Sequence, residues 1–264
     1  MKKLTAVLTV ALLGTSLLVG CGKEADNSKV ITIGATSNPH AMILEEVKPI
    51  LEKEGYELDI VEFDDYAIIN KALDNSEIDA NYFQHEPFLN EYNKSTGSDL
   101  VSVQKVHIEP MGIYSKKLKD VNDIENGAEV TIPADASNGS RALKLLEKVG
   151  LITLPDAEIL TVQDIIDNPK ELVITEVDAK QLTNTLQDVS LSVINSNFAM
   201  EAKLNPVEDS LFTEDADSPY ANIIVVRKEN KDDEKIKALT EAITSPEIKA
   251  YIEEEFGGSI IPVF

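Results

Sequence analysis

Apolar positions in this chain fall into two alternating rhythms: nearly continuous runs of four to six residues, and longer stretches where an apolar residue returns every third or fourth position. Val30-Ile31-Thr32-Ile33-Gly34-Ala35 is a run of the first kind, suited to a strand covered on both faces in a parallel sheet. Thr36-Ser37-Asn38-Pro39 follows as a turn with proline at a helix start. The helix is expected to reach Gly55, with Ile43, Val47, Ile50 and Leu51 on one stripe and Pro49 kinking or loosening it. Further strands are predicted at residues 58–63, 79–83 and 100–106. A short helix is expected over 66–73, and another from the Gln84-His85-Glu86-Pro87 junction to about Asn93. Strands separated by helices of this length predict βαβ units and a mainly parallel sheet.

The same alternation starts again at Met111. Residues 111–114, 129–133, 172–174, 191–194 and 222–226 read as strands. Residues 141–149, 179–187, 195–203, 234–244 and 245–256 read as helices, with Lys116-Lys117-Leu118-Lys119 as a solvated turn. The resulting fold class is α/β, with two lobes that each carry a sheet flanked by helices. Both ends of the chain are expected to share the first lobe, residues 30–111 plus 223–264, with 112–222 forming the second. The crossings between lobes are expected near 109–112 and 219–223.

The first 21 residues follow neither rhythm. Met1-Lys2-Lys3 is a short cationic start, residues 4–18 are apolar with small or hydroxylated interruptions, and Leu18-Val19-Gly20-Cys21 ends the stretch. A cationic start, an apolar centre short for a bilayer and a small residue before a cut site describe a secretory signal over residues 1–20. The cut abuts the chain's single cysteine, an arrangement that resembles the lipobox of bacterial lipoproteins and implies acylation of Cys21, two or more acyl chains anchoring stably where one does not; the alternatives are an ordinary signal peptide with a chance cysteine or an uncleaved anchor helix. Residues 21–29 then read as anchor and flexible tether. Once acylated, Cys21 leaves no thiol for a disulfide, a metal or catalysis.

The formal charge is −23 for 264 residues, and removing the leader takes away two lysines. Acidity of this size excludes nucleic acid as a partner and keeps the body off an anionic membrane. It is read as a solvated surface, the Glu253-Glu254-Glu255 run included. No G-x-S-x-G elbow, phosphate loop or H-E-x-x-H pattern is present, so no enzyme is predicted. His40, His85 and His107 form no ligand-spaced pair, so no metal and no cofactor is predicted.

The basic residues are 22 lysines and two arginines, Arg141 and Arg227. In such a chain an arginine is placed for geometry. Arg141 is expected in the first turn of a helix capped by Ser137 or Asn138, where free N–H groups and a guanidinium fork would hold a carboxylate. The alternatives are an exposed Arg141 or one paired with an aspartate. Arg227, just after a strand, reads as structural. Tyr66, Tyr82, Phe83 and His85 lie at or beyond strand ends, where open α/β sheets bind ligands, and aromatic rings there would suit an apolar or thioether side chain. Tyr82 is read as core. Asn195 and Asn222 flank very apolar strands; each is either a ligand contact or an ordinary turn or cap residue.

Several stretches resemble the NlpA lipoprotein family. They are Gly34-Ala35-Thr36 with Pro39-His40-Ala41; Asp79-Ala80-Asn81-Tyr82-Phe83-Gln84-His85; Val106-His107-Ile108-Glu109-Pro110-Met111-Gly112-Ile113-Tyr114-Ser115-Lys116-Lys117; Arg141-Ala142-Leu143 through Lys148-Val149-Gly150-Leu151-Ile152; and Ser218-Pro219-Tyr220-Ala221-Asn222. They cover nearly all the mature chain in the family's order, behind a lipobox. Departures are Met42, where an acidic residue is common, and Lys203, where glycine is frequent. The resemblance implies a periplasmic-binding-protein-like fold holding methionine between its lobes. The protein would be a monomeric, membrane-anchored, extracytoplasmic receptor that delivers methionine to an ABC permease driven by a separate ATPase. It implies aromatic and imidazole contacts from Tyr66, Phe83 and His85, and a polar grip from Asn138, Arg141, Asn195 and Asn222. Three alternatives stay open: a methionine-containing dipeptide or other amino acid as ligand, a metal-ion receptor, and a surface lipoprotein with no small ligand.

Overall fold

The computed structural model describes residues 27–215 and 218–264. The expected leader, Cys21 and most of the expected tether lie outside the described residues. In chain order the first half runs β1 (Val30–Ala35), α1 (Met42–Lys53), β2 (Glu57–Glu62), α2 (Tyr66–Asp74), β3 (Ala80–His85), α3 (Glu86–Thr96) and β4 (Val101–Ile108). It continues through β5 (Gly112–Tyr114), β6 (Glu129–Pro133), α4 (Ala136–Lys148), β7 (Val173–Val177), α5 (Leu182–Thr185), β8 (Leu191–Ile194), α6 (Ser196–Glu201) and β9 (Ser210–Thr213). The last elements are β10 (Ala221–Val226), α7 (Glu234–Ile243), α8 (Pro246–Phe256) and β11 (Ile261–Pro262).

The strands form two sheets, ordered β11-β4-β10-β3-β1-β2 and β7-β6-β8-β5-β9. β1 pairs in parallel with β2 and β3, and β6 with β7 and β8, as βαβ units require. β10 runs antiparallel to both β3 and β4, and β5 antiparallel to both β8 and β9. Four strands of each sheet run the same way, as mainly parallel sheets do, with β10 and β11 reversed in the first and β5 in the second. The reason is the route of the chain: it leaves the first sheet after β4, builds the second, and returns after β9 to insert β10 in the middle of the first. A strand arriving from the other sheet enters against its neighbours' direction, and no helix-crossover rule governs it.

β10 shows how this insertion is stabilised. All six of its residues are buried. Ile224 and Val226 face a cluster with Ile31, Ile33, Leu44 and Val47, which α7 and α8 close with Leu239, Ile243 and Ile252. Ile223 and Val225 face the opposite cluster of Ile69, Leu73, Phe83 and Leu89 from α2, β3 and α3. Each such side chain contributes about 1.5–3 kcal/mol of transfer free energy. The second sheet packs Val130, Ile132 and Val193 against Leu143 and Leu146 of α4. On its other side, Tyr114 and Ile194 meet Leu182 and Phe198, with Tyr66 of α2 against the same cluster.

Local differences from the expected elements have local causes. α1 continues through Pro49 without a break, because Ile43, Leu44, Val47 and Leu51 are fully buried on both sides of the proline and hold the helix in place. α4 begins at Ala136 because Asp135 is its cap, accepting from Asn138 N at 2.9 Å. β9 and β11 were not expected; both are short strands that complete sheet edges by pairing. The helix expected over 179–187 is a single turn at Ala179–Gln181 followed by the short α5. Residues Asn27–Lys29, expected as tether, form a helical turn. No helix among the described residues is long and apolar enough to cross a membrane.

Gly139, in the first turns of α4, lies where a Cβ would stand 2.8 Å from the Pro133 carbonyl oxygen. Its hydrogen side lets α4 start directly on the end of β6. Gly139→Ala is expected to cost about 1–3 kcal/mol by overpacking, against under about 1 kcal/mol regained in helix propensity. Urea unfolding should show a lower midpoint at unchanged slope. Unchanged stability would mean that the helix end moves freely.

Candidate functional site

One cavity lies between the two sheets and encloses about 330 Å³ of empty space, its mouth included. All seven residues singled out from the sequence line it: Tyr66, Phe83, His85, Asn138, Arg141, Asn195 and Asn222. Gln84, Phe88, Glu109, Ser196 and Asn197 complete the lining.

The apolar wall comes from the first sheet. Asp65 caps α2 by accepting from Ala67 N at 2.9 Å, which fixes Tyr66 at the first helical position. Asp65 also meets Lys180, beside the second sheet, at 3.2 Å. The Tyr66 ring lies 5.7 Å from Phe83, 5.9 Å from Phe88 and 4.9 Å from Phe198, centroid to centroid, and Phe83 lies 5.7 Å from Phe88. These spacings fall in the range of favourable aromatic contacts. Phe88 and Phe198 gave no signal at the sequence level, where each is one apolar residue of a helix.

The polar wall is built by a chain of orientations that starts at the α4 cap. Asp135 accepts from both the backbone and the side-chain amide of Asn138, the latter at 3.1 Å. That turns Asn138 Oδ1 toward the cavity, where it accepts from Asn195 Nδ2 at 3.0 Å and from His85 Nε2 at 3.0 Å. The His85 tautomer follows, because Nδ1 accepts from Phe88 N at 3.3 Å at the start of α3. Asn195 has thus spent its amide nitrogen, and its buried Oδ1 has no hydrogen-bond partner. Asn197 is in the complementary condition: Tyr66 OH donates to its Oδ1 at 2.5 Å, and its buried Nδ2 has no partner. Two orphaned buried polar atoms on one cavity, one acceptor and one donor, are exceptions to the rule that buried polar groups are paired.

Arg141 stands in the second turn of α4, not the first, since the cap is Asp135 rather than Ser137 or Asn138. It is 3% exposed. Its Nε donates to Glu214 Oε1 at 2.8 Å, and its Nη2 to Glu214 Oε2 at 2.5 Å and to the Glu109 carbonyl at 2.7 Å. The Tyr220 ring lies 4.3 Å beneath the guanidinium. The partner is therefore a glutamate on the return crossing, a geometry the sequence reading anticipated only as pairing with an aspartate. None of these three acceptors uses Nη1. Arg227 ties the Leu73 and Ile78 carbonyls at 2.7 Å each, a structural role.

Beneath the polar wall lies a group that the spacing along the chain did not reveal. His40 and His107 both direct Nε2 at Glu109 Oε1, at 3.1 and 2.8 Å. His40 Nδ1 lies 2.7 Å from Thr36 Oγ1, and Tyr82 OH contacts His107 Nδ1. All three residues are buried, and their ligand atoms lie within 4.8 Å of one another, so they could be read as a metal triad. Yet His40 Nε2 faces two oxygens, Glu109 Oε1 and Asn222 Oδ1 at 3.1 Å, which assigns a proton to that nitrogen and removes its lone pair from ligation. The group is a hydrogen-bonded carboxylate cradle. The available signal was His107-x-Glu109, two residues apart on an extended segment and hence on one face. Burial lowers His40 to about 4 and His107 to about 3, and raises Glu109, against the pull of His40 and Arg141.

The family model for NlpA lipoprotein matches residues 31–264. The chain is 42% identical over 275 residues to the methionine-binding lipoprotein MetQ of Bacillus subtilis, covering 100% of this chain and 99% of that one. It is 40% identical over 256 residues to the D-methionine-binding lipoprotein MetQ of Salmonella typhi, covering 95% and 94%. Among solved structures, a nutrient binding protein from Burkholderia cenocepacia bound to methionine superposes with a TM-score of 0.87 at 42% identity, covering 89% of this chain and 100% of that one.

Burial, and then Arg141, lower His85 to about 3, so the native state holds it neutral where the unfolded chain protonates it near 6.5. A depressed folded pKa contributes stability that is fully present above pH 6.5 and is lost as pH falls toward 3. Unfolding free energies of the parent and of His85→Gln should therefore converge over this window, at up to about 1.4 kcal/mol per pH unit. Denaturant titrations of the unliganded proteins at pH 7, 6 and 5 read this slope; parallel pH profiles would mean that His85 stays solvated.

Proposed function

The chain belongs to the NlpA lipoprotein family, and from that premise we propose that it is a lipid-anchored, extracytoplasmic substrate-binding protein that takes methionine and hands it to an ABC permease. The observation that carries this reading is the pairing of the two orphaned atoms, Asn195 Oδ1 and Asn197 Nδ2, with an aromatic enclosure in one cavity. An acceptor and a donor left open on one cavity suit a zwitterion. Three rings lining the same cavity suit an unbranched apolar side chain, and a thioether gains about 0.3–1.5 kcal/mol from such contacts.

Each site residue then has a role. Arg141, with Nη1 unused by Glu214, takes the ligand carboxylate together with Asn197 Nδ2. Asn195 and Asn222 serve the amino end, and Tyr66, Phe83 and Phe88 hold the side chain. His85 and Asn138 keep Asn195 turned. The two lobes, 30–111 with 223–264 and 112–222, close on the ligand by rotation about the crossings at 109–112 and 219–223. Hydrogen bonds from Tyr66 to Asn197 and from His85 to Asn138 then span the cleft. Cys21 carries the acyl chains, residues 1–20 are removed, and the protein acts as a monomer with no catalytic step. A dipeptide is less well served by a cavity of about 330 Å³, its mouth included.

Native mass spectrometry of the protein lacking residues 1–21, before and after unfolding and refolding, is expected to show one methionine lost and regained. Failure of the stripped protein to take up methionine would overturn the assignment. Arg141→Lys keeps a cation opposite Glu214 but loses the fork, and is expected to weaken methionine binding roughly 10- to 100-fold, about 1.5–3 kcal/mol. Wild-type affinity in this variant would remove Arg141 from the site. Cys21→Ser is expected to move the protein from the membrane fraction to the soluble one; retention in the membrane would point to an uncleaved anchor.

A further inference from the structure

Glu109 is the one cavity-lining carboxylate to which the sequence reading gave no ligand role, and its surroundings go beyond what its place at the first crossing requires. It is 5% exposed, and burying an ionised carboxylate is costly unless it is richly hydrogen-bonded. Here both His40 and His107 converge on the same oxygen, Oε1, and the Asn197 backbone N–H also donates to the carboxylate. Thr36 and Tyr82 hold the outer nitrogens of the two imidazoles, so that four side chains from β1's turn, β3 and β4 fix one carboxylate against the cavity. The guanidinium of Arg141 is already answered by Glu214, so Glu109's side chain is not needed as its partner.

Two further acceptors line the same cavity as Glu109, and one of them, Asn222 Oδ1, shares His40 Nε2 with it. Asn195 Oδ1 is buried and unpartnered. Asn222 Oδ1 takes one hydrogen bond, from His40, and retains a lone pair. With the carboxylate, these three acceptors match the three hydrogens of a primary ammonium. The donors, Arg141 Nη1 and Asn197 Nδ2, are what the other end of an amino acid needs.

We propose that Glu109 is the counter-ion of the ligand's free α-ammonium, and that the cradle of His40 and His107 makes the site specific for ligands with an unmodified amino group. The proposal rests on the amino-acid-binding reading above and deepens it. It gives the histidines a positioning role: they act on the ligand through Glu109. It also excludes a class of ligand by chemistry. An N-acylated amino acid brings a neutral amide, and a desamino acid brings hydrogen atoms on carbon; either leaves the buried carboxylate with neutral donors but no cation from the ligand, and a site built to bind a polar group discriminates strongly against an analogue lacking it.

Calorimetry at neutral pH with L-methionine, N-acetylmethionine and 4-(methylsulfanyl)butanoic acid tests this on the stripped parent and on Glu109→Gln. The parent is expected to bind methionine at least 100-fold more tightly than either analogue. Glu109→Gln is expected to lose at least 30-fold toward methionine while binding the desamino acid within 3-fold of the parent. Equal binding of methionine and the desamino acid by the parent overturns the proposal, and so does an equal loss for both ligands in the variant. A parent that binds no methionine overturns the amino-acid reading itself, and the proposal with it. If Glu109→Gln does not fold, Glu109→Asp takes its place. It keeps the charge but withdraws it by one methylene, and is expected to discriminate less than the parent; undiminished discrimination overturns the proposal.

Discussion

A buried guanidinium organises the centre of this molecule. Arg141 is 3% exposed, and removing one partner of such a pair costs about 3–5 kcal/mol. The charge is answered bidentately by Glu214, whose Oε2 also accepts from Met111 N at 3.0 Å. Arg141 sits on a helix of the second sheet, Met111 on the outgoing crossing and Glu214 on the returning one. One ion pair thus ties both crossings to the α4 helix. The backbone adds Glu214 N to Met111 O at 3.0 Å. The cavity lies against this knot.

From there the polar wall follows by exclusion. A side-chain amide has one acceptor and one donor end, and whichever end a neighbour takes leaves the other facing outward. Asp135 takes the donor end of Asn138, Asn138 takes the donor end of Asn195, and Tyr66 takes the acceptor end of Asn197. Asn195 Oδ1 is set by partners on its own side of the cleft and is held before any ligand arrives, whereas Asn197 is set by Tyr66 across it. Preorganisation of this kind reduces the ordering cost of binding. Neutral histidines belong to the same economy: burial holds His40, His85 and His107 well below their ordinary pKa, so they orient other groups without adding charge to the cavity.

The aromatic wall obeys a different constraint. Tyr66, Phe83 and Phe88 stand at the ends of elements of the first sheet, and Phe198 comes from α6 of the second. The stack therefore crosses between the sheets, as do Asp65 with Lys180 and Ser37 Oγ with Glu201 at 3.1 Å. Contacts of this sort are modest singly and depend on the two sheets being close, which is the arrangement expected of elements that separate and meet again.

The local rhythm of the chain was enough to specify most helices and strands, because burial on one face is a nearest-neighbour pattern. The run Asn222-Ile223-Ile224-Val225-Val226 is a strand on that evidence alone, and Arg141 stands out among lysines by composition. Pairing direction was not in the pattern: β10 and β5 are apolar like parallel strands, and only the route between the sheets makes them antiparallel. Nor was the helix start at Asp135, since Asp135, Ser137 and Asn138 are all competent caps and the backbone approach of Gly139 to Pro133 decides among them. The seven residues named from the sequence converge on one cavity. Glu109, Glu214, Asn197, Phe88 and the two histidines of the cradle went unassigned, because each looks locally like surface charge, cap, core or turn. Sequence by itself determined which segments are strands and helices and which residue types could grip a small ligand, as both depend on local chemistry. Tertiary structure alone decided which distant charges answer each other and which polar atoms are left open, because those depend on partners such as Arg141 with the Glu109 carbonyl, 32 residues apart, and His40 with Asn222, 182 residues apart.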